Sequence, residues 1–148
     1  MRRLREACGI DTVITGDIAE VAGQPNWIRE RSRAVGMNVL TPLWGRDRVA
    51  LLRHLVESKF QVIFSCIKTP WLTPAWIGRL LDEPAIAQLR ALRARNGLDL
   101  CGEEGEYHTL VADAPDFQQR LQFDFADLRQ SASMAWWKIH HAELIAKP

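Results

Sequence analysis

The run Phe60-Gln-Val-Ile-Phe-Ser-Cys-Ile67 is almost continuously apolar. Its length suits a strand covered on both faces rather than a buried helix. A chain built around such a strand must supply layers for both sides. The flanking segments do so. From Asp47 to Ser58, Val49, Leu51, Leu52, Leu55 and Val56 repeat at helical spacing, so an amphipathic helix is expected. Asp47 suits the positive end of its dipole, and His54 reads as a helix-surface residue. Ala85 to Arg95 reads as a further helix, stopped by Asn96-Gly97. Its arginines form a solvated face. Between them, Lys68 to Pro74 is a proline-rich loop carrying Trp71. Thr73-Pro74 then opens an expected helix from Ala75 to Leu81, and Asp82-Glu-Pro84 breaks it.

Upstream, Arg2 to Cys8 reads as a short helix stopped by Gly9. Thr12 to Thr15 is a short β-branched strand ending in Gly16-Asp17-Ile18. A loop from Ala19 to Pro25 follows, and Asn26 caps a helix from Trp27 to Val35, with Gly36 as its stop. Asn38 to Thr41 is a second strand, running into Pro42-Leu-Trp44-Gly45. This alternation predicts an α/β fold. It is a partial Rossmann-like sheet of parallel, doubly wound strands with flanking helices. Ligands in such sheets sit at the carboxyl ends of strands, which points to Gly16, Asp17 and Trp44. Trp44 either covers the core edge or stacks on a planar ligand.

Chemistry is densest in Cys101-Gly-Glu-Glu-Gly-Glu-Tyr-His-Thr109. Three carboxylates, an imidazole, a phenol and a hydroxyl share nine residues with two glycines. A loop bending at Gly102 and Gly105 turns Glu103, Glu104 and Glu106 toward one point. Such crowding costs free energy, because like charges repel. His108 to Ala112 leaves the loop as a strand. Arg120 to Ala126 alternates as a half-exposed strand and could pair with it. Beyond it, Met134, Trp137 and Leu144 suggest a terminal helix, giving a small α+β portion over residues 122–148. On that helix His140 and His141 would point apart and hold no metal together.

Length and charge narrow the classes. At 148 residues the chain is about one domain. A net charge of +1 gives no support to nucleic-acid binding. No apolar run approaches a bilayer span, and the charged start is unlike a signal peptide, so a cytoplasmic setting is expected. Cys8, Cys66 and Cys101 are too scattered for a zinc site or a disulfide framework.

The order of Gly16-Asp17-Ile18, Pro42-Leu-Trp44 and the loop 102–109 resembles the diphthine–ammonia ligase (diphthamide synthase) family. This family belongs to the adenine nucleotide alpha-hydrolase superfamily, or N-type ATP pyrophosphatases. Its hallmark is Gly-Glu-Gly-Gly-Glu-Tyr-Glu-Thr ahead of Val-x-Asp-x-Pro-x-Phe. Here the run is Gly102-Glu-Glu-Gly-Glu-Tyr-His-Thr109, then Val111-Ala-Asp113-Ala-Pro115-Asp-Phe117. His108 stands where the family has a second Glu, and Glu104 where it has Gly, a version that looks bacterial. The likeness covers roughly residues 8–121; residues 1–121 are read as the substrate-side part of such a domain, with 122–148 as a strand and helix extension.

The resemblance implies an ATP-dependent amide-forming ligase. ATP, with magnesium, would adenylate the carboxylate of diphthine, a modified histidine of translation elongation factor 2, and ammonia would displace AMP. Glu103, Glu106, Tyr107 and Thr109 would line the substrate side, with Gly16, Asp17 and Trp44 nearer the nucleotide. The superfamily's phosphate loop, Ser-Gly-Gly-x-Asp-Ser in outline, is not in this sequence. The chain is therefore expected to be incomplete, with a homo-oligomer or a partner chain supplying the nucleotide half. Two other readings differ in class. One is a non-catalytic adenine-nucleotide-binding or regulatory module. The other is a metal-dependent hydrolase built on Glu103, Glu106 and His108, whose spacing is too tight for a standard site.

Overall fold

The structure is a computed structural model describing residues 1–21 and 23–147. Ala22 of the expected loop and Pro148 of the expected C-terminal portion lie outside the described residues. The chain forms two compact units, Met1–Asp47 and Arg48–Pro148. The α/β class holds: among the described residues, four α-helices accompany a small parallel sheet and a larger antiparallel one.

The first unit is a short βαβ arrangement. Helix α1 (Arg2–Cys8) stops at Gly9, whose left-handed φ of 65° lets its N–H reach the Arg5 carbonyl. Strand β1 (Thr12–Ile14) and strand β2 (Asn38–Leu40) pair in parallel, Thr12 opposite Asn38. Between them, α2 (Trp27–Arg33) begins where the Asn26 side chain accepts the Arg29 N–H at 2.9 Å. Among the described residues of this unit, Ile18 and Met37 are the buried apolar ones.

The second unit centres on β3 (Gln61–Lys68), the long apolar run. Helix α3 (Arg48–Glu57) precedes it; α4 (Glu83–Asn96) and then β4 (Tyr107–Asp113), β5 (Gln119–Gln130) and β6 (Met134–Ala146) follow. The strand order is β4-β3-β6-β5, all antiparallel, so parallel pairing stops at β2 among the described residues. Near-continuous burial of Val62, Ile63, Phe64 and Ile67 reports coverage of both faces, which fixes no strand direction. Phe64 is fully buried, its ring centroid 5.0 Å from those of both Trp76 and Tyr107.

Four local expectations are corrected here. Pro74–Trp76 makes only a 3-10 turn, and no helix runs to Leu81. The reason is competition for backbone: Gly78 donates to the Phe64 carbonyl at 2.9 Å, Phe64 to Arg79 at 3.0 Å, and Leu81 to Val62 at 2.7 Å. The segment thus pairs along β3 on the edge that β6 joins further on, at Cys66–Lys68. Asp82-Glu-Pro84 does not break a helix but starts α4. Asp82 accepts the Ala85 N–H at 2.7 Å, and Pro84 sits in the first turn, where no N–H is needed. Strand β5 pairs with β6 rather than with β4. The expected terminal helix is the strand β6: Ala135, Trp137 and Ile139 turn inward at period two, whereas Met134 and Leu144 are exposed. Among the described residues no helix is long and apolar enough to cross a membrane.

Phe64→Ala removes the ring between Trp76 and Tyr107. It is expected to destabilise the second unit by about 3–5 kcal/mol. Urea unfolding followed by tryptophan fluorescence measures this, and a loss well under 1 kcal/mol would show that Phe64 is not central to the core.

Candidate functional site

The acidic loop is built from α4 outward. Gly97 ends the helix at φ 81°, donating to the Arg93 carbonyl. Leu98 and Leu100 are then buried on either side of Asp99 and anchor the chain in the core. Two turns follow, with Gly102 donating to Asp99 at 3.1 Å and Gly105 to Gly102 at 2.9 Å. Both glycines have φ above 70°, so only glycine takes these positions without strain. A Cβ at Gly102 would lie 3.0 Å from the Tyr107 carbonyl, and one at Gly105 3.2 Å from the Lys68 ammonium.

Inside this frame sits Glu106, only 2% exposed. Its Oε1 accepts the Asp99 N–H at 2.8 Å. Its Oε2 is buried with no hydrogen-bond partner. Asp99 is itself engaged: Oδ1 accepts the Cys101 N–H at 2.8 Å, and Oδ2 meets the Arg48 guanidinium at 2.5 Å. The Glu106 carbonyl accepts the Lys68 N–H at 2.8 Å, tying the loop to β3. Two carboxylates are thus held close by one guanidinium and two backbone donors, which offset the repulsion that crowding creates.

Tyr107 is also interior. Its hydroxyl donates to the Leu100 carbonyl at 2.5 Å, and its ring packs on Phe64. Burial first, then the charges of Cys101, Asp99, Glu106 and Glu103, hold this hydroxyl far above the ordinary tyrosine value. Glu103 is half-buried, while Glu104, His108 and Thr109 are exposed. The loop therefore has a buried, braced floor and an exposed acidic rim. Of the residues expected here, Glu106 and Tyr107 form the floor, Glu103 lies between, and Thr109 stands further along β4, opposite Phe64. The sequence reading missed Asp99, Arg48 and Lys68. Asp99 alone carried a signal, as a charged residue between two leucines.

Gly16, Asp17 and Trp44 belong to the first unit. Gly16 is exposed, and Asp17 accepts the Asn26 side-chain amide at 2.7 Å. A concavity of about 400 Å³ is lined by Asp17, Gln24, Pro25, Asn26, Trp27 and Ile28, among others. Its amides, carboxylate and exposed indole fit the hydrogen-bonding edge and flat face of a nucleobase. It offers no lysine or arginine for phosphates. The Arg29 guanidinium lies 4.0 Å from the Trp44 ring centroid and covers one ring face. The residues of this concavity therefore suit a base, and an adjoining hollow that shares Pro25 and Asn26 with it is lined by Arg29 and Arg33. Among the described residues no three His, Cys, Asp or Glu side chains converge on a metal position. His140 and His141, on a strand rather than a helix, each meet a separate carboxylate at 3.1 Å, Asp127 and Asp124.

The glycine-turned loop thus carries a buried glutamate with one oxygen matched and the other unmatched, on a unit of helices and antiparallel strands. The profile of the diphthamide synthase C-terminal domain matches residues 47–145, which takes in nearly all of the second unit and continues through β5 and β6. The chain belongs to that family. It is similar to the diphthine–ammonia ligase of Schizosaccharomyces pombe, 32% identical over 76% of this chain and 18% of that protein. It is 29% identical to the human diphthine–ammonia ligase over 65% of this chain and 36% of that one. The Danio rerio enzyme is 34% identical over 57% of this chain and 33% of its own length. The chain thus spans little more than a third, or less, of these relatives.

Tyr107 is the chain's single tyrosine, so tyrosinate absorbance reports it alone. Below pH 10.0, the ordinary value, Tyr107 is protonated in both folded and unfolded chain and leaves stability flat. Above it, only the unfolded chain ionises, so stability falls as pH rises. Tyrosinate absorbance is expected to appear only together with unfolding. A normal titration in the folded protein would contradict the buried hydroxyl. Gly102→Ala is expected to cost about 1–3 kcal/mol through backbone strain and the Tyr107 carbonyl; thermal unfolding measures it, and an unchanged melting temperature would contradict this geometry.

Proposed function

We propose that this chain forms the substrate-side part of an ATP-dependent amide-forming ligase. In this reading a substrate carboxylate, as in diphthine, is activated as an acyl-adenylate, and ammonia displaces AMP. The observation that carries it is Glu106: a glutamate of the family's signature loop, buried, braced by Asp99 and left with one unmatched oxygen. A loop needed only for shape would not bury an unmatched carboxylate oxygen, since that costs about 1–3 kcal/mol.

The chain's own residues divide the work. Arg48 and Asp99 fix the loop's position, and Tyr107 locks its far end through Leu100. Glu103 and Glu104 make the rim negative, which attracts a cationic substrate and disfavours a second anion. Thr109 offers a hydroxyl at the exposed end of the same run. Asp17 and its neighbours in the first unit would take the nucleotide base, with Gly16 at the carboxyl end of β1 beside them. ATP, with magnesium on its phosphates, would supply the activated carboxylate. The phosphate-binding loop would come from a polypeptide segment outside this sequence, since a second copy would lack it too. A cytoplasmic setting belongs to the same reading.

The test is AMP formation from ATP in the presence of ammonium, a diphthine-bearing protein and a polypeptide carrying the phosphate loop. Glu106→Gln is expected to lower the rate about a hundredfold or more while nucleotide binding persists. Nucleotide binding without AMP formation in the unaltered chain would favour a non-catalytic module instead.

A further inference from the structure

The second unit carries a hollow of about 310 Å³ that takes in no residue of the acidic loop. It is lined by Trp76, Gln88, Ala91, Leu92 and Arg95. The last four share one face of α4, because residues three and four apart stack along a helix. Ala91 sits in the middle of that stripe and leaves room that a longer side chain would take. Trp76 and Leu92 add apolar wall. The volume stands at the small end of ligand pockets, which run from about 300 to 1,000 Å³. The polar lining is one-sided. It holds no Asp or Glu. Gln88 Oε1 accepts from the Arg79 guanidinium at 2.6 Å. A guanidinium only donates, so this contact fixes the amide's orientation and leaves the Gln88 N–H groups as the end that can serve a ligand. Arg79 itself is engaged, 4.6 Å from the Trp76 ring centroid and 3.9 Å from Asp82. Arg95 joins none of the ion pairs found among the described residues.

We propose that this hollow is a binding site for a small carboxylate with a flat apolar body, an aryl acetate being the simplest example. The carboxylate accepts from the Arg95 guanidinium and the Gln88 amide, and the body covers Trp76, Ala91 and Leu92. Side chains that only donate select an acceptor, and the planar guanidinium fork matches the two oxygens of a carboxylate. A cation with the same body meets the Arg95 charge and finds no side-chain acceptor left. A bare anion such as acetate lacks the surface that the apolar wall would cover. Arg93, beside Arg95 in the last turn of α4, helps to offset the negative end of the helix dipole, which would otherwise disfavour an anion there. The amide-forming reading uses none of these five lining residues, so the site stands apart from it.

Sodium phenylacetate titrated into the full 148-residue chain tests the idea, followed by the Trp76 indole N–H and the Ala91 backbone amide in nitrogen–proton NMR spectra. The expected result is a saturable shift of both signals. Benzylammonium chloride, with the same ring and the opposite charge, should give none, and neither should sodium acetate. Arg95→Gln should weaken phenylacetate binding about tenfold, the size of one lost charge-assisted hydrogen bond. Ala91→Leu should fill the hollow and abolish the shift. Both positions are exposed on α4 and both new residues are good helix formers, so the fold should be kept. Equal shifts with benzylammonium would overturn the proposal in favour of unselective apolar contact. Equal shifts with acetate would reduce it to an ion at an arginine and overturn it too. So would the absence of a saturable shift with phenylacetate, or binding that survives unchanged in Ala91→Leu or in Arg95→Gln. If a variant does not fold, the comparison of the three probes on the unaltered chain decides alone. Failure at this hollow leaves the ligase reading standing, and loss of AMP formation in the assay of that reading leaves this site standing.

Discussion

The second unit depends on how a buried carboxylate is satisfied. Glu106 lies in the interior, a short way from Asp99 along the chain; one of its oxygens is matched, and both of Asp99's are. Taking a carboxylate out of water costs several kcal/mol unless donors replace its hydration. The donors come from three separate places: the Asp99 amide, the Cys101 amide and the Arg48 guanidinium at the start of α3. Supplying them forces the chain after α4 into two consecutive glycine turns. The loop's shape is thus a consequence of its electrostatics, and helix α3 is tied to it through Arg48.

That demand explains why the loop stands on a stiff base. Leu98 and Leu100 are buried on either side of Asp99, and Tyr107 packs its ring on Phe64 in the middle of β3. Core packing fixes the position of the carboxylates to the precision of side chains in a close-packed interior. The same central strand uses both of its edges, against β4 on one side and against Gly78–Leu81 and then β6 on the other.

The two units differ in how much of them was legible. In the first, local chemistry decides: the Asn26 cap, the Gly9 stop and the β-branched Thr12-Val-Ile14 act over a few residues, and the elements fall where those signals put them. In the second, the helices α3 and α4 and the strands β3 and β4 were read correctly within a few residues. The segments that went astray, 75–81 and 134–146, are those whose backbone donors are claimed by another strand. Glycine spacing and the density of carboxylates marked the loop itself, but nothing local distinguished the buried Glu106 from the exposed Glu104.

The sequence by itself determined the α/β class, the family and the place of the acidic loop, because composition, periodicity and a short ordered motif are properties of neighbouring residues. The tertiary structure alone decided which glutamate is buried, that Arg48 and Asp99 brace it, and that the chain after β5 returns as a strand along β3. Those outcomes depend on hydrogen-bond partners distant in the chain, as in Arg48 with Asp99, Lys68 with Glu106 and Thr69 with Ser133. No local window contains both members of such a pair.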